Sequence, residues 1–376
     1  MTAEGETAPL RHVAHWKLYL LIAVLVFVVI FVLALNIGYT PISFGTIAKI
    51  LGKQLGMREI LHGTILRAIG DPFPFVGNLI DYSGIRQTTR TIILQIRLPR
   101  VICGALVGTA LATAGVIYQG IFRNPMADPY VIGAMSGASL GSALVIVLGV
   151  GIDILGVNTL QVFAFAGSLA TVFFVYTISK SGSRVPVTLL LLTGIAVTYF
   201  QSAIVTFLQV IASDKLHGLV FWLIGSLAPT ENWTRVGSII PFIVVGVIIV
   251  YFYSRDLNIL ALGEDQAQYL GVEIEKVKRI LIACGALLTA AAVSVSGLIG
   301  FVGLIIPHLT RVVIGPDHRF LLPTAAIVGS SFLMICDAVA RVVMGSGEAP
   351  VGVITAFTGG PFFIYLLRRR KKGYYV

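Results

Sequence analysis

Long apolar runs separated by short polar segments dominate the chain from residue 17 to residue 367. Many runs approach or exceed twenty residues, the length that an α-helix needs to cross a bilayer. Barrel strands would be about ten residues long with strict alternation, so the pattern predicts an all-α polytopic membrane protein. We expect about ten spans, at 17–37, 99–121, 134–152, 160–180, 187–211, 235–253, 278–296, 298–314, 321–343 and 350–367. The seventh and eighth runs are separated only around Gly297 and could instead form one block.

Composition agrees with a lipid environment and argues against a water-soluble globule. Hydrophobic residues make up 57% of the chain and charged residues only 12%, whereas soluble domains have about a quarter of their residues charged. Lys and Arg outnumber Asp and Glu by 27 to 17, and much of this excess lies near span ends. We interpret the excess as the positive-inside signal of a membrane protein, with nucleic-acid binding as the disfavoured alternative.

The chain is predicted to form a single transmembrane domain over residues 1–376, located in the cytoplasmic (inner) membrane. A retained first span at 17–37 leads to an extended outer loop at 38–98. Spans two to six follow at 99–253, then an inner loop at 254–277, spans seven to ten at 278–367 and a basic inner tail at 368–376. Basic inner loops and acidic outer loops near 151–159 and 345–349 place both termini in the cytoplasm.

The outer loop contains one patterned stretch. Apolar positions from Ile42 to Leu55 recur at helical spacing, with Lys49 and Lys53 between them. This predicts a helix lying on the outer membrane face. Residues 70–90 are rich in Gly and Pro and are predicted to form a loop.

An internal repeat is indicated by two similar runs. Residues 103–106 and 284–287 both read CGAL, and each is preceded by an arginine, Arg100 or Arg279. The copies lie about five helices apart, an odd offset that predicts two halves inverted in the membrane, as in many transporters. Chance similarity is the alternative, because Gly, Ala and Leu are frequent throughout the chain.

The sequence contains no recognisable catalytic motif. It has no phosphate-binding G-x-x-x-x-G-K-[ST] loop and no HExxH or G-x-S-x-G pattern. Cys103, Cys284 and Cys336 lie in apolar runs without CxxC spacing and are interpreted as packing residues. His308 is an isolated histidine, interpreted as packed rather than metal-binding. We therefore expect a non-enzyme that binds no metal or cofactor, so active transport would need an outside source of energy.

Two energy sources are compatible with these residues. Ion-coupled carriers bury titrating carboxylates, and Asp337 is the deeply placed candidate. Arg341 follows four residues later on the same helical face, however, which is more simply a neutral structural pair. The other source is a partner ATPase that docks on the inner face.

The inner loop at 257–272 is a candidate docking element. Its apolar positions Ala261, Leu262, Ala267 and Leu270 alternate with acidic residues, and Gly263 would break it into two short helices. Such a pair of helices could present an apolar knob to another protein. The alternative is an amphipathic loop resting on lipid headgroups, and the pattern leaves both open.

The fifth span is our choice for the lining of a passage. A bulky cargo needs smooth walls with few fixed charges, and this span carries small polar side chains instead. Ordinary helix packing is the alternative explanation of the same residues. The predicted lining consists of Thr193, Gly194, Thr198, Gln201 and Ser202.

Four sequence blocks carry a resemblance to a known family. They are RLPR at 97–100 with NPMADP at 124–129, ALG at 261–263 with LG at 270–271, GFVGLIIPH at 300–308, and PVGVITA at 350–356 with GGP at 359–361. In this order they resemble the FecCD-type permease family, the membrane subunits of importers for iron-siderophores, haem and cobalamin. The resemblance covers about residues 90–370, whereas residues 38–90 depart from it.

The resemblance implies a homodimer with the passage at its axis, an ATP-binding cassette subunit that holds ATP and Mg on the inner face, and an extracytoplasmic binding protein. The implied function is import of an iron chelate such as a ferric siderophore. Haem and cobalamin are alternatives, and an ion-coupled secondary transporter or a membrane-embedded enzyme are the alternative classes.

The resemblance also implies roles for individual residues. ATPase coupling falls on Gly263, Glu264, Ala267, Leu270 and Gly271. The inner gate falls on Asn124 and Met126 and, less cleanly matched, on Val187 and Thr188. Docking of the binding protein falls on Arg97, Arg100 and Arg341. Charge reversal at Arg97 and Arg100 is expected to weaken docking, more so at low salt.

Overall fold

The computed structural model describes residues 16–38, 40, 42–54, 86–151, 153–154, 157–228, 233–344 and 348–371. Its helices are α1 Trp16–Asn36, α2 Phe44–Gln54, α3 Gln87–Ile121, α4 Ala134–Leu148, α5 Thr159–Ile178, α6 Val187–Ile211, α7 Leu216–Ile224, α8 Trp233–Phe252, α9 Ser254–Ala261, α10 Glu264–Tyr269, α11 Ile274–Ser296, α12 Val302–Ile314, α13 His318–Val343 and α14 Val351–Lys371. A short antiparallel pair, β1 Asp153–Ile154 and β2 Val157–Asn158, connects α4 to α5.

Each of the ten predicted spans contains a helix, so the prediction of an all-α polytopic protein is confirmed. Seven helices within the described residues are long and apolar enough to cross a membrane, and α4, α12 and part of α14 form a shorter apolar class. The seventh and eighth runs form separate helices. The chain breaks between them at Gly297 and Phe301, both of which have left-handed backbone angles, with φ of 65° and 69°.

The second span begins earlier than predicted, which corrects the assignment of residues 87–98 to the outer loop. Helix α3 starts at Gln87 and passes through a π-helical turn at Ile92–Arg97 before it reaches Pro99. Proline has no N–H and crowds the carbonyl four residues earlier, so it normally starts or breaks an α-helix. The wider π turn removes that conflict and lets the helix continue outward.

The helix predicted in the outer loop is present as α2, and it packs against the bundle. Ile47 and Ile50 on α2 join a buried cluster with Ala34 and Leu35 of α1 and Ile93 of α3. Its position on the membrane face stays a prediction. Leu55, most of the predicted loop at 70–90 and residues 372–376 of the tail lie outside the described residues.

The centre of the bundle is built from α3, α11, α12 and α13, which approach each other through glycines. A Cβ atom on Gly115 of α3 would lie 1.9 Å from the carbonyl oxygen of Gly303 on α12. A Cβ on Gly108 would lie 2.3 Å from the carbonyl oxygen of Gly329 on α13. Such close backbone contact is how membrane helices gain packing energy without a hydrophobic driving force. By contrast, α1 fully buries only Ala34 and Leu35, with Phe27, Ile30 and Phe31 partly buried against the bundle, and most of its other large side chains are exposed.

The two CGAL runs lie on helices that run in opposite directions. Tyr118 near the end of α3 donates a hydrogen bond to the carbonyl oxygen of Ile282 near the start of α11, at 3.3 Å. An antiparallel arrangement is what inverted halves require. The repeat itself stays a prediction.

Candidate functional site

The three predicted docking arginines lie together at the end of the bundle that is predicted to face outward, and all three are buried. Arg97 and Arg100 are 5% exposed and Arg341 is 4% exposed. Nε of Arg100 contacts Oδ1 of Asp337 at 2.9 Å, and Nε of Arg341 contacts Oδ2 of the same carboxylate at 3.1 Å. Arg100 also pairs with Glu348. Docking of a partner by these residues stays a prediction, because the contacts found here lie within the chain.

Two of these arginines hold the outer end of α1. Arg97 donates to the carbonyl oxygens of Leu35 at 3.0 Å and Asn36 at 2.9 Å. Arg341 donates to those of Ala34 at 2.9 Å and Ile37 at 2.8 Å. The last carbonyls of a helix lack partners within the helix and carry partial negative charge. The two guanidinium groups therefore stabilise the end of α1 and tie it to α3 and α13.

The predicted pair of Asp337 and Arg341 is present, but it has a second cation that the sequence pattern did not reveal. Arg100 is 237 residues away from Asp337 in the chain, so helical spacing gives no sign of the contact. The carboxylate contacts a guanidinium group on each of its two oxygens, and such charge-assisted contacts are strong. This geometry supports the structural interpretation of Asp337 over the proton-site interpretation.

A cavity of about 310 Å³ lies beside α6 and includes part of the predicted passage lining. Thr198 and Ser202 line it, together with Ser136 and Ser139 of α4 and Tyr130. Its other lining residues are Met135, Val205, Thr206, Leu223 and Leu298, so the wall carries hydroxyl groups and no charged side chain. Sequence reasoning missed Ser136 and Ser139, although their spacing of three residues places two hydroxyl groups on one face of α4.

The remaining predicted lining residues of α6 contact neighbouring segments or lie away from the cavity. Gln201 accepts a hydrogen bond from Ser136 at 2.7 Å and donates to Thr171 of α5 at 2.8 Å. A Cβ on Gly194 would lie 2.4 Å from the carbonyl oxygen of Val131, so this glycine permits close contact. Thr193 is half-buried and does not line the cavity.

The predicted gate residues lie just after the end of α3 and at the start of α6. After α3 ends, the exposed side chain of Asn124 accepts a hydrogen bond from the backbone N–H of Met126 at 3.0 Å and forms a tight turn. Val187, half-buried, and Thr188, exposed, begin α6 after Pro186. The gating role of both pairs stays a prediction.

The inner loop has the predicted form of two short helices broken at Gly263. This residue has φ of 127°, a region that residues with a Cβ rarely adopt, and Gly271 with φ of 82° ends the second helix. Leu262, Tyr269 and Leu270 are 59%, 92% and 61% exposed and form an apolar knob. Ala267 is fully buried and faces the bundle. Tyr269 was not predicted, although it is the most exposed member of the knob.

The inner loop is also attached to α13. Asn258 on α9 donates to Oδ1 of Asp317 at 2.7 Å and accepts from the backbone N–H of His318 at 2.8 Å. Burial acts to raise the pKa of Asp317, but hydrogen bonds from Arg319 and Asn258 outweigh it and hold the pKa at about 2. The carboxylate is therefore charged at neutral pH, and it caps the start of α13.

A second polar cluster joins the inner loop to the segment before α6. Nζ of Lys278 on α11 lies 3.3 Å from Oε1 of Glu264, 2.7 Å from Oε1 of Glu275 and 3.1 Å from the carbonyl oxygen of Val185. Oε2 of Glu275 in turn accepts a hydrogen bond from the N–H of Val185 at 3.0 Å. Sequence reasoning missed Lys278, because Val185 lies 93 residues away from it.

Within the described residues, no group of three or more His, Cys, Asp or Glu side chains is placed to hold a metal ion. Cys103, Cys284 and Cys336 are buried and form no disulfide, and His308 is buried on α12. These positions agree with packing roles for all four residues.

An apolar helical bundle with a hydroxyl-lined cavity and an exposed inner knob defines a multi-pass membrane permease. The chain belongs to the FecCD transport family, which residues 23–369 match. It is 40% identical to the cobalamin import system permease protein BtuC of Halobacterium salinarum over 92% of this chain and 94% of that protein. It is 42% identical to the hemin transport system permease protein HmuU of Yersinia pestis over 74% and 84% of the two chains.

A solved structure has the same fold. It shows an inward-facing conformation of a transporter assigned to the metal-chelate type of ABC transporters. The TM-score is 0.75 with 31% identity, and the match covers 93% of this chain and 98% of the other.

Proposed function

We propose that this chain is the membrane-spanning permease of an ATP-binding cassette importer and forms the passage for a metal chelate. The observation that carries the proposal is the inner loop, in which Leu262, Tyr269 and Leu270 are exposed next to a turn at Gly263 with a positive φ. Exposed apolar side chains of this kind are suited to a protein partner. ATP and Mg would be bound by that partner, and this chain would act in transport without catalysing hydrolysis.

The proposed assembly follows the family to which the chain belongs. Two copies of the permease would enclose the passage, one ATPase subunit would bind each inner loop, and an extracytoplasmic binding protein would deliver the cargo. The cavity beside α6 supports weak contact with cargo, because its wall offers hydroxyl groups without a fixed charge. A wall of this kind allows release as well as entry.

Replacement of Gly263 by Trp tests the proposal. A tryptophan there needs a strained backbone and would distort the knob, so the co-purified ATPase subunit should be lost while the permease stays in the membrane. Gly182→Trp is the matched control, because Gly182 also has a left-handed backbone, with φ of 62°, and faces open space in a different inner loop. Equal retention of the ATPase by both variants would contradict the proposal.

The cargo that we propose is a ferric chelate such as a ferric siderophore. Cobalamin is the second candidate, favoured by the name of the halobacterial relative, and haem is the third, favoured by the name of the Yersinia relative. Binding of each compound to the extracytoplasmic partner protein, measured by calorimetry, separates them. Tight binding of cobalamin or haem without binding of ferric chelates would reject the ferric chelate.

An ion-coupled carrier is separated from the importer by its energy source. Uptake into vesicles should need ATP and should survive collapse of the proton gradient. Uptake that continued without ATP, and stopped both on collapse of the gradient and in Asp337→Asn, would favour the carrier.

A further inference from the structure

We infer that Lys278 is a positioning residue that transmits movement of the inner loop to the inner end of α6. The inference rests on the proposed function, because it assumes that an ATPase subunit moves the loop. It concerns the cluster formed by Lys278, Glu264, Glu275 and Val185, which we call the Lys278 clamp.

The clamp uses the whole bonding capacity of the lysine. An ammonium group has three N–H donors and no acceptor, and three oxygens lie within reach: one on Glu264, one on Glu275 and the carbonyl of Val185. The lysine side chain is only 4% exposed. A buried charge that loses one of its partners is costly, so the groups around Lys278 are expected to move together.

The three oxygens belong to three different parts of the inner face. Glu264 is the first residue of α10, the short helix that ends at Tyr269 of the knob. Glu275 lies in the first turn of α11, at the edge of the bundle core. Val185 belongs to the connection between α5 and α6. Lys278 therefore joins the helix that is proposed to face the ATPase to the connection that leads into α6.

The connection is fixed in a way that transmits displacement. Lys278 holds the carbonyl of Val185 and Glu275 holds its N–H, so both polar groups of this residue are held. The next residue, Pro186, has φ of −64° and precedes Val187, the first residue of α6. A proline has a nearly fixed φ, so a shift of residue 185 passes into α6 with little loss.

The alternative is that the clamp has a purely structural role. In that role it would contribute to folding and assembly, but the response of α6 to nucleotide would be unchanged once the complex had formed. The test therefore measures movement of α6 in assembled complexes.

The experiment uses the permease with its ATPase subunit in proteoliposomes and a nitroxide spin label on Thr188→Cys, an exposed position at the inner end of α6. Labelling is directed there because the three native cysteines are buried. The fraction of label that changes mobility on addition of ATP, Mg²⁺ and orthovanadate is measured in assembled complexes. Lys278→Met is expected to lower the ratio of changed to unchanged label about tenfold, which corresponds to a coupling change of about 1.4 kcal/mol.

Lys276→Met is the matched control. Lys276 lies on the same helix, and its replacement by Met removes the same charge. Its ion pair with Glu273, at 3.4 Å, is exposed, with 61% of the Lys276 side chain and 73% of the Glu273 side chain accessible. The response of α6 should therefore fall little in this variant. Lys278→Arg should restore most of the response, because a guanidinium keeps the charge and several donors. A normal spectral response in Lys278→Met complexes would overturn the inference.

If the Lys278→Met permease does not assemble with its ATPase subunit, a second variant that removes only one contact of Lys278 serves as the test. Glu264→Gln leaves Lys278 paired with Glu275 and Val185 and weakens only the link to α10. The response of α6 should again fall, and an unchanged response in assembled Glu264→Gln complexes would overturn the inference. Failure of the unsubstituted permease to bind the ATPase would reject the proposed function itself, and the inference with it.

Discussion

Asp337 is enclosed at the outer end of the bundle, 1% exposed, with a guanidinium on either side. Buried ion pairs add little relative to apolar packing, but removal of one partner leaves the other charge uncompensated. Arg341, one of these two, also holds the end of α1, so its orientation depends on the carboxylate beside it. The contribution of these charged groups to the fold is therefore collective.

Asp337→Asn is expected to destabilise the folded permease by about 3–5 kcal/mol, since it leaves two buried guanidinium groups with less negative charge. Thermal unfolding in detergent, followed by the loss of the monodisperse size-exclusion peak, measures the effect. Glu348→Gln is the control, because this partner of Arg100 has a side chain that is 41% exposed and its loss should cost less than about 1 kcal/mol. Similar unfolding temperatures for the two variants would show that the enclosed carboxylate has no special role.

At the scale of helices, contact between α3 and its neighbours depends on the absence of side chains at a few positions. Gly115→Ala places a methyl group against the carbonyl of Gly303, so α12 must move away from α3. We expect a loss of about 1–3 kcal/mol, as for other overpacked sites. Thermal stability of the purified protein measures it.

Gly237→Ala on α8 is the matched control for this change. An added Cβ there has open space within 4 Å, and alanine favours a helix over glycine by up to about 1 kcal/mol. The control should therefore be neutral or slightly stabilising. A destabilised control with an unaffected Gly115→Ala would contradict the packing account of α3.

The helices were largely predictable because lipid imposes a length and a composition on them. The break at Gly263 was predictable too, since glycine between two apolar stretches marks a change of backbone direction. The outward extension of α3 was not, because Pro99 is the usual sign of a helix start and nothing in the local sequence shows that a π turn will absorb it.

At the scale of the molecule, the chain order of the helices places residue 151 and the inner loop on opposite sides of the membrane. Gly151→Cys should react with a membrane-impermeant maleimide in intact cells or spheroplasts. Tyr269→Cys, which is 92% exposed in the unsubstituted protein, should react only after the membrane is opened. The native cysteines are buried and give little background. Reaction of both variants from the same side would reject the topology and with it the inner position of the knob.

The sequence patterns indicated candidate functional regions but not the contacts that join them. The pairs of Arg100 with Asp337 and of Lys278 with Val185 span 237 and 93 residues, and periodicity reports only on neighbours within a helix. The residues predicted to line the passage lie in different surroundings for the same reason. The sequence could show that α6 carries small polar residues, but only packing decides that Gly194 faces Val131 while Thr198 and Ser202 face a cavity.

The π turn at Ile92–Arg97 has a consequence for how the outer part of the molecule tolerates change in length. A wide turn inserts one extra residue into the helix, which rotates everything upstream by roughly 100° relative to an unbroken helix. Ile93, fully buried against α1, lies upstream of most of this turn, and Arg100 lies beyond it. Loss of a single residue between them would restore a regular helix and turn Ile93 away from α1. The number of residues in this turn thus decides which side of the helix faces α1, and a change of side chain cannot compensate for a missing residue.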